Sequence, residues 1–250
     1  MSEQRPKLGV LWMYPDILNL HGDRGNLMAL RRIGERCGAE IELRRHQRIG
    51  QPPALAGVQL LFFGSGQVRN MPQLAADLAA NADALHDYAA GGGSILAIGT
   101  AGSLLARHTE RADGSYYAGL GLLHSVCHER AQVLGDDIRF EVEAGGERQT
   151  LIGCQIQVLD TRLEPEQPPF GRLSYGYGNH GGADEGARQD NVIATNCLGP
   201  LLVKNPWFTV TLLRQMAACG GMELPAAAGD WPLERASFAL IDEFINKKQR

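Results

Sequence analysis

Gly91-Gly92-Gly93-Ser94-Ile95-Leu96-Ala97-Ile98-Gly99-Thr100 is the stretch that decides the fold. Three glycines stop whatever precedes them, and the residues from Ser94 to Ile98 are apolar almost without a break. A run with no polar alternation is expected of a strand buried on both faces, as in a parallel sheet sandwiched between helices. Gly99 then starts a helix expected to reach Arg107, so Gly99 and Thr100 sit at a strand-to-helix elbow. In doubly wound folds ligands bind at that carboxyl edge of the sheet.

The same pattern extends outward in both directions. Val58 to Phe63 is apolar except for Gln59 and ends in Gly64-Ser65-Gly66, which gives a second buried strand. Pro72 to Ala90 is rich in Ala and Leu and reads as the helix between the two strands. Upstream, Leu8 to Met13 is a strand ended by Tyr14-Pro15-Asp16, and Asn26 to Cys37 places Leu27, Leu30, Ile33 and Cys37 at helical spacing before Gly38. Ile41 to Leu43 resumes a strand. From Gly119 to Val192 the texture changes to short alternating segments, Val133 to Val142, Leu151 to Val158 and Arg172 to Tyr177, with a polar loop at Gly178 to Asp190. Helices return at Pro206 to Cys219 and Leu233 to Asn246. The expectation is α/β: a mostly parallel sheet flanked by helices, with an antiparallel extension. One domain is expected over residues 1–250, with a core at about 7–220 and a C-terminal helix at 233–246.

Composition limits the function. The 250 residues are 44% hydrophobic and 21% charged, inside the globular range. A net charge of −4 supplies no field to draw in nucleic acid. The apolar runs fall short of the roughly 18 to 20 residues that cross a bilayer. Met1 to Lys7 is polar and leads into no signal-peptide core, so a cytoplasmic location is expected. The five cysteines are odd in number and form no C-x-x-C pair, which suggests neither a disulfide framework nor a zinc site. His124, Cys127 and His128 lack a fourth ligand at finger-like spacing, and no cofactor is implied.

Six segments occur in one order: Tyr14 to Asn26, Gly64-Ser65-Gly66-Gln67, Leu96-Ala97-Ile98 with its elbow, Leu134-Gly135-Asp136, Gly176-Tyr177-Gly178-Asn179, and Leu198 to Asn205. Together they resemble the GatD-type glutaminase subunits of lipid II isoglutaminyl synthase, with the glutaminase domains of cobyric acid synthases as more distant relatives. The resemblance runs from about residue 7 to residue 215. It implies a class I glutaminase-like, flavodoxin-like fold, in which a cysteine at the elbow attacks the side-chain amide of glutamine and a distant histidine serves as its base. It further implies a Mur-ligase-like partner that uses ATP and the released ammonia to amidate a cell-wall precursor. Thiolates are nucleophilic near neutral pH, imidazole keeps them deprotonated, and the elbow aims backbone N–H groups at the oxyanion.

This chain departs from that pattern where the chemistry lies. The family's L-A-I-C-G-G is Leu96-Ala97-Ile98-Gly99-Thr100-Ala101 here, and its T-Y-L-H-G-P is Thr195-Asn196-Cys197-Leu198-Gly199-Pro200. The nucleophile position is Gly99 and the base position is Leu198. The family's G-F-E-N-H-G-G is matched by Gly153-Cys154-Gln155-Ile156-Gln157-Val158-Leu159, which reads as a more apolar strip. Removing the nucleophile of a serine protease costs about 10⁶ in turnover. The leading expectation is therefore a non-catalytic relative that binds or regulates a partner.

Two alternatives remain at this stage. A relocated nucleophile would draw on Thr100 or Cys197 with a swung-in His180, whereas their plain readings are helix capping for Thr100 and Ser103, a buried thiol for Cys197, and an exposed loop residue for His180. A small-molecule module would use the space beside Gly99 for a glutamine-like ligand. The resemblance implies that Gly64, Ser65, Gly66 and Gln67 match the loop that helps build the oxyanion site, where backbone N–H groups could bind a carboxylate or amide oxygen, and that Arg130 falls near an arginine of the family's substrate pocket. His21, Asp23 and Arg24 are read either as a contact for a ligand or as a loop network. Phe238, Ile241 and Ile245 give the final helix a docking face, and Lys247-Lys248 reads as a solvated end.

Overall fold

The structure is a computed structural model that describes residues 5–224 and 230–249. The polar start at Met1–Gln4 lies outside the described residues. The first sheet contains β1 (Lys7–Met13), β2 (Glu40–His46), β3 (Leu60–Phe63), β4 (Ser94–Ile98), β11 (Ala187–Gln189) and β12 (Val192–Thr195). Its order is β11-β12-β4-β3-β1-β2, parallel throughout except for β11. This is the flavodoxin-type order, with the elbow at the carboxyl end of the central β4.

The unbroken apolar runs follow from the two faces of this sheet. Leu60, Phe62, Leu96 and Ile98 point to one side, into a cluster with α1 (Arg24–Arg36) and α6 (Pro206–Cys219). Leu61, Phe63, Ile95 and Ala97 point to the other, against α2 (Met71–Ala79) and α3 (Ala82–Ala90). Successive strand residues alternate in direction, so a strand covered on both sides must be apolar at every position. Each fully buried Leu, Ile or Phe contributes about 1.5–3 kcal/mol.

A second sheet, order β10-β9-β7-β5-β6 with β8 beside β7, carries the antiparallel extension. It is built on a long hairpin of β7 (Ser125–Ala144) and β8 (Glu147–Leu163), with β5 (His108–Glu110), β6 (Tyr116–Ala118), β9 (Gly171–Tyr175) and β10 (Asp184–Glu185). Ile138, Phe140, Val142 and Leu151 of the hairpin join the cluster around α6. Pairing lapses between Glu129 and Leu134, where the chain bulges away from β8.

Several boundaries differ from expectation. The helix read over Pro72 to Ala90 is two, because Asn81 Nδ2 bonds the Asp77 carbonyl and its own carbonyl restarts the ladder at Leu85. The helix after Gly99 is one turn of 3₁₀ and then α4 (Gly102–Leu105). It ends there because the Leu104 and Leu105 carbonyls accept the Leu120 and Leu123 amides. The polar segment 178–190 holds β10 and β11 as well as a loop. After α5 (Leu201–Lys204) and α6, the final helix α7 (Pro232–Lys248) docks through Phe238 on Trp207 and through the buried Ile245. Its Lys248 is no loose end, since it pairs with Asp136 at 2.7 Å and Asp137 at 3.1 Å.

Candidate functional site

Gly99 has φ +59°, a left-handed conformation that L side chains rarely adopt. A Cβ built there would lie 2.8 Å from Ser65 Oγ and 3.1 Å from Leu198 Cδ2. The elbow, the Gly64–Gly66 loop and Leu198 therefore meet at one point, brought there by the ends of three different elements. Leu198 is held by an isolated antiparallel bridge to β8: its N–H donates to the Cys154 carbonyl at 2.7 Å, and Cys154 N–H returns to the Leu198 carbonyl at 3.4 Å. The absence of a side chain at Gly153 permits this approach, because a Cβ there would lie 2.3 Å from Cys197 Sγ.

The Gly66 N–H and the hydroxyls around the elbow bond to one another and to nearby backbone. Thr100 Oγ1 accepts the Gly66 N–H at 2.9 Å and donates to the Gly66 carbonyl at 2.8 Å. Ser65 Oγ lies 3.3 Å from the same hydroxyl. Asp23, buried at the mouth of this loop, accepts from the backbone of His21 and Ser65. Burial pushes its carboxyl above the usual range, and those bonds partly offset the shift. Ser103 Oγ donates to the Thr100 carbonyl at 2.7 Å and accepts from Tyr117 at 2.9 Å. Among the described residues neither hydroxyl is bonded to a base.

The space next to Gly99 is small. A cavity of about 20 Å³ remains there, lined among others by Thr100, Gln157, Thr195 and Asn196. That is room for about one water, against the roughly 300–1,000 Å³ of ordinary small-molecule sites.

Thr100, Cys197 and His180 do not come together. Cys197 is fully buried, and burial followed by the nearby Glu185 carboxylate pushes its thiol well above the ordinary range. The His180 side chain is 55% exposed, with Nδ1 3.4 Å from Asp160 and Nε2 3.3 Å from Arg162. Of the ligand-binding candidates, Gly64, Ser65 and Gly66 are buried beside the elbow, whereas Gln67 is exposed. Arg130 sits where the bulge begins and is spent on a different partner set. Its Nη1 reaches both Asp160 oxygens at 2.7 Å and Tyr177 OH at 2.8 Å, and its guanidinium stacks 4.6 Å from the Tyr177 ring. Arg24 is exposed at the start of α1, His21 is half-buried in the loop before it, and the His21 amide bonds Asp23.

Two polar clusters lay beyond sequence reasoning. The strip on β8, expected to be more apolar, keeps a buried chain of amides: Gln155 Nε2 donates to Gln157 Oε1 at 2.9 Å, and Gln157 donates to the Gly178 carbonyl at 3.0 Å. Glu185, fully buried, accepts from Thr195 Oγ1, Asn196 N–H and Asn196 Nδ2. Burial raises its carboxyl, and the bonds from Thr195 and Asn196 oppose the rise. The one sequence signal for this cluster is the adjacency of Thr195-Asn196 to an apolar strand. Among the described residues no three His, Cys, Asp or Glu side chains gather as metal ligands would; His128 instead meets Glu110 at 3.0 Å.

The family model of the CobB/CobQ-like glutamine amidotransferase domain matches residues 9–206. The chain belongs to this family. It is 28% identical over 204 residues to the GatD subunit of lipid II isoglutaminyl synthase from Streptococcus pneumoniae, covering 80% of this chain and 76% of the relative. Against the GatD subunit from Staphylococcus aureus it is 25% identical over 247 residues, covering 97% and 98%. A solved glutamine amidotransferase superposes with a TM-score of 0.57 at 20% identity, over 83% of this chain and 99% of that one, a likeness of fold. Gly99 and Leu198 of this amidotransferase-family chain, read as the nucleophile and base positions of the family pattern, lie face to face. Among the described residues no helix is long and apolar enough to cross a membrane.

Proposed function

We propose that this chain is a GatD-like subunit that does not hydrolyse glutamine and acts by binding or regulating a Mur-ligase-like partner in the amidation of lipid II. The observation that carries this reading is the contact at the elbow. Where a thiol and an imidazole would have to meet, a Cβ built on Gly99 would lie 3.1 Å from Cδ2 of the Leu198 isobutyl group.

Three further features support it. The Gly66 N–H, which would have to receive a developing oxyanion, is consumed by Thr100. An oxyanion hole contributes only when its donors are free and aimed at the charge that develops. The 20 Å³ cavity has no room for a glutamine side chain. Thr100 and Cys197 lack what activates a hydroxyl or thiol, one tied to a backbone amide and carbonyl, the other buried beside a carboxylate. The shell of the fold, by contrast, stays complete, as expected of a protein that contributes surface rather than turnover.

Intact-mass spectrometry after incubation with a glutamine chloroketone tests the inert half of the proposal, and an unlabelled chain is expected. A single covalent adduct on Thr100 or Cys197 would refute it. Co-expression with the Mur-ligase-like protein of the same organism tests the other half. Co-purification as a stoichiometric complex is expected, and separate elution of two folded proteins counts against the partnership.

A further inference from the structure

A large apolar groove lies on the described surface, away from the elbow. It runs between α1 and the start of α7, with a volume of about 980 Å³. Ala29 and Ile33 form its floor, and Met28, Val203 and Leu233 stand along its edges. Met28 is 63% exposed, Val203 42% and Leu233 81%. Scattered apolar residues on a surface are ordinary, whereas several lining one groove mark an interaction site. The groove has a fixed shape, because Arg36 stacks 4.2 Å from the Trp231 ring and donates to the Asp230 carbonyl, tying α1 to the head of α7.

The charges on the two walls select the occupant. The α1 wall is basic, with Arg32 and Arg36 along the groove and Arg31 beside them; Glu35 is shared by Arg31 at 3.5 Å and Arg32 at 3.9 Å. The α7 wall is acidic, with Asp230 and Glu234. Arg235 reaches Asp230 at 3.7 Å, whereas Glu234 makes no ion pair among the described residues. A uniformly acidic or basic partner would be repelled by one wall. A groove with an apolar floor and walls of opposite sign is complementary to itself, because a two-fold axis along it sets each basic wall against the acidic wall of the other copy.

We infer that this groove is an isologous dimer interface, and that its occupant is a second copy of the chain. Met28 and Leu233 of each copy cover the apolar floor of the other, while Arg32 of one copy faces Glu234 of its mate, twice over by symmetry. The inference is independent of whether the elbow turns over glutamine.

Sedimentation velocity of the full chain over about 1 to 300 μM brackets weak specific interfaces. The expected result is a shift from the 27.1 kDa monomer to a species of twice that mass. Leu233→Glu, at an exposed position that leaves the core untouched, abolishes the shift while the circular dichroism spectrum is unchanged. Arg32→Glu alone and Glu234→Arg alone each weaken the dimer about 10-fold or more, since like charges then meet at both symmetric contacts. An equimolar mixture of the two variants restores association, because both contacts regain opposite charges. A monomer at every concentration overturns the inference, whether the groove stays open or takes another occupant. A dimer indifferent to Leu233→Glu, or variants that fail to rescue one another, also overturns it.

Discussion

Replacing Gly99 by Ala tests the geometry of the elbow directly. The left-handed φ of +59° costs a side chain about 1–3 kcal/mol. The new methyl meets Ser65 Oγ at 2.8 Å and Leu198 Cδ2 at 3.1 Å, so overpacking adds about 1–3 kcal/mol. Leu198→Ala is destabilising for the opposite reason: the side chain is 1% exposed, and its truncation leaves a cavity worth about 2–5 kcal/mol. In the double variant the methyl at 99 no longer meets Leu198 and occupies part of the space it left. The strain at φ and the contact with Ser65 persist. The two changes should therefore be sub-additive by about 0.5–3 kcal/mol in favour of the double variant, the range seen for residues in contact. Urea unfolding of the four proteins, followed by tryptophan fluorescence and far-ultraviolet circular dichroism, supplies the cycle, with unchanged m-values expected. Additivity within about 0.3–0.5 kcal/mol would mean that the two positions do not touch, and would refute the juxtaposition.

Other consequences are open to separate measurement. Thr100→Val keeps the shape and strands the Gly66 N–H and carbonyl, so it should cost about 1–3 kcal/mol and speed amide exchange at Gly66; unaltered exchange would show that the donor was never engaged. Thiol titration of the native protein should modify the exposed Cys219 first and the half-buried Cys154 more slowly. Cys37, Cys127 and Cys197 should react only on unfolding, and rapid native labelling of Cys197 would contradict its raised pKa. His46 is lowered from its ordinary range by burial, with the Asp77 charge opposing. Its neutral form is favoured in the folded state, so the unfolded chain binds the proton first and stability falls as pH drops below about 6.5. His46→Gln should flatten that part of the pH–stability curve relative to the parent, and parallel curves would exclude the assignment. Glu185 and Asp23, raised by burial, act with the opposite slope in both proteins and drop out of the difference.

Much of the fold was legible because the doubly covered strands leave a signal that little else mimics. Leu60 to Phe63 and Ile95 to Ile98 are apolar at each position, and the strands that hold them, Leu60–Phe63 and Ser94–Ile98, appear at nearly the expected bounds. Helix ends were less legible where tertiary hydrogen bonds set them, as at Leu105, whose carbonyl is taken by a loop amide 18 residues on. The length of β2 was missed because its outer half, Arg44 to His46, lies at a sheet edge where charge is tolerated. At the site, local pattern marked the elbow, and only the folded chain reveals its neighbours. That Leu198 faces Gly99 depends on a bridge to Cys154, 44 positions earlier in the chain, which no spacing rule encodes. The capping role read for Thr100 gave way to a tighter one, since its hydroxyl closes the Gly66 amide and carbonyl of a neighbouring loop. Arg130, matched by family spacing to a substrate-pocket arginine, lies at the bulge after Glu129 and meets Asp160 and Tyr177, partners that no local pattern announces.

The most direct trial of the inert elbow is ammonia release from glutamine, followed by a coupled glutamate dehydrogenase assay on the purified chain, alone and with its Mur-ligase-like candidate. With Gly99 and Leu198 in place, ammonia should accumulate no faster than in buffer. Turnover matching that of authentic GatD subunits, lost in Thr100→Val or in Cys197→Ala, would contradict the non-hydrolysing role outright.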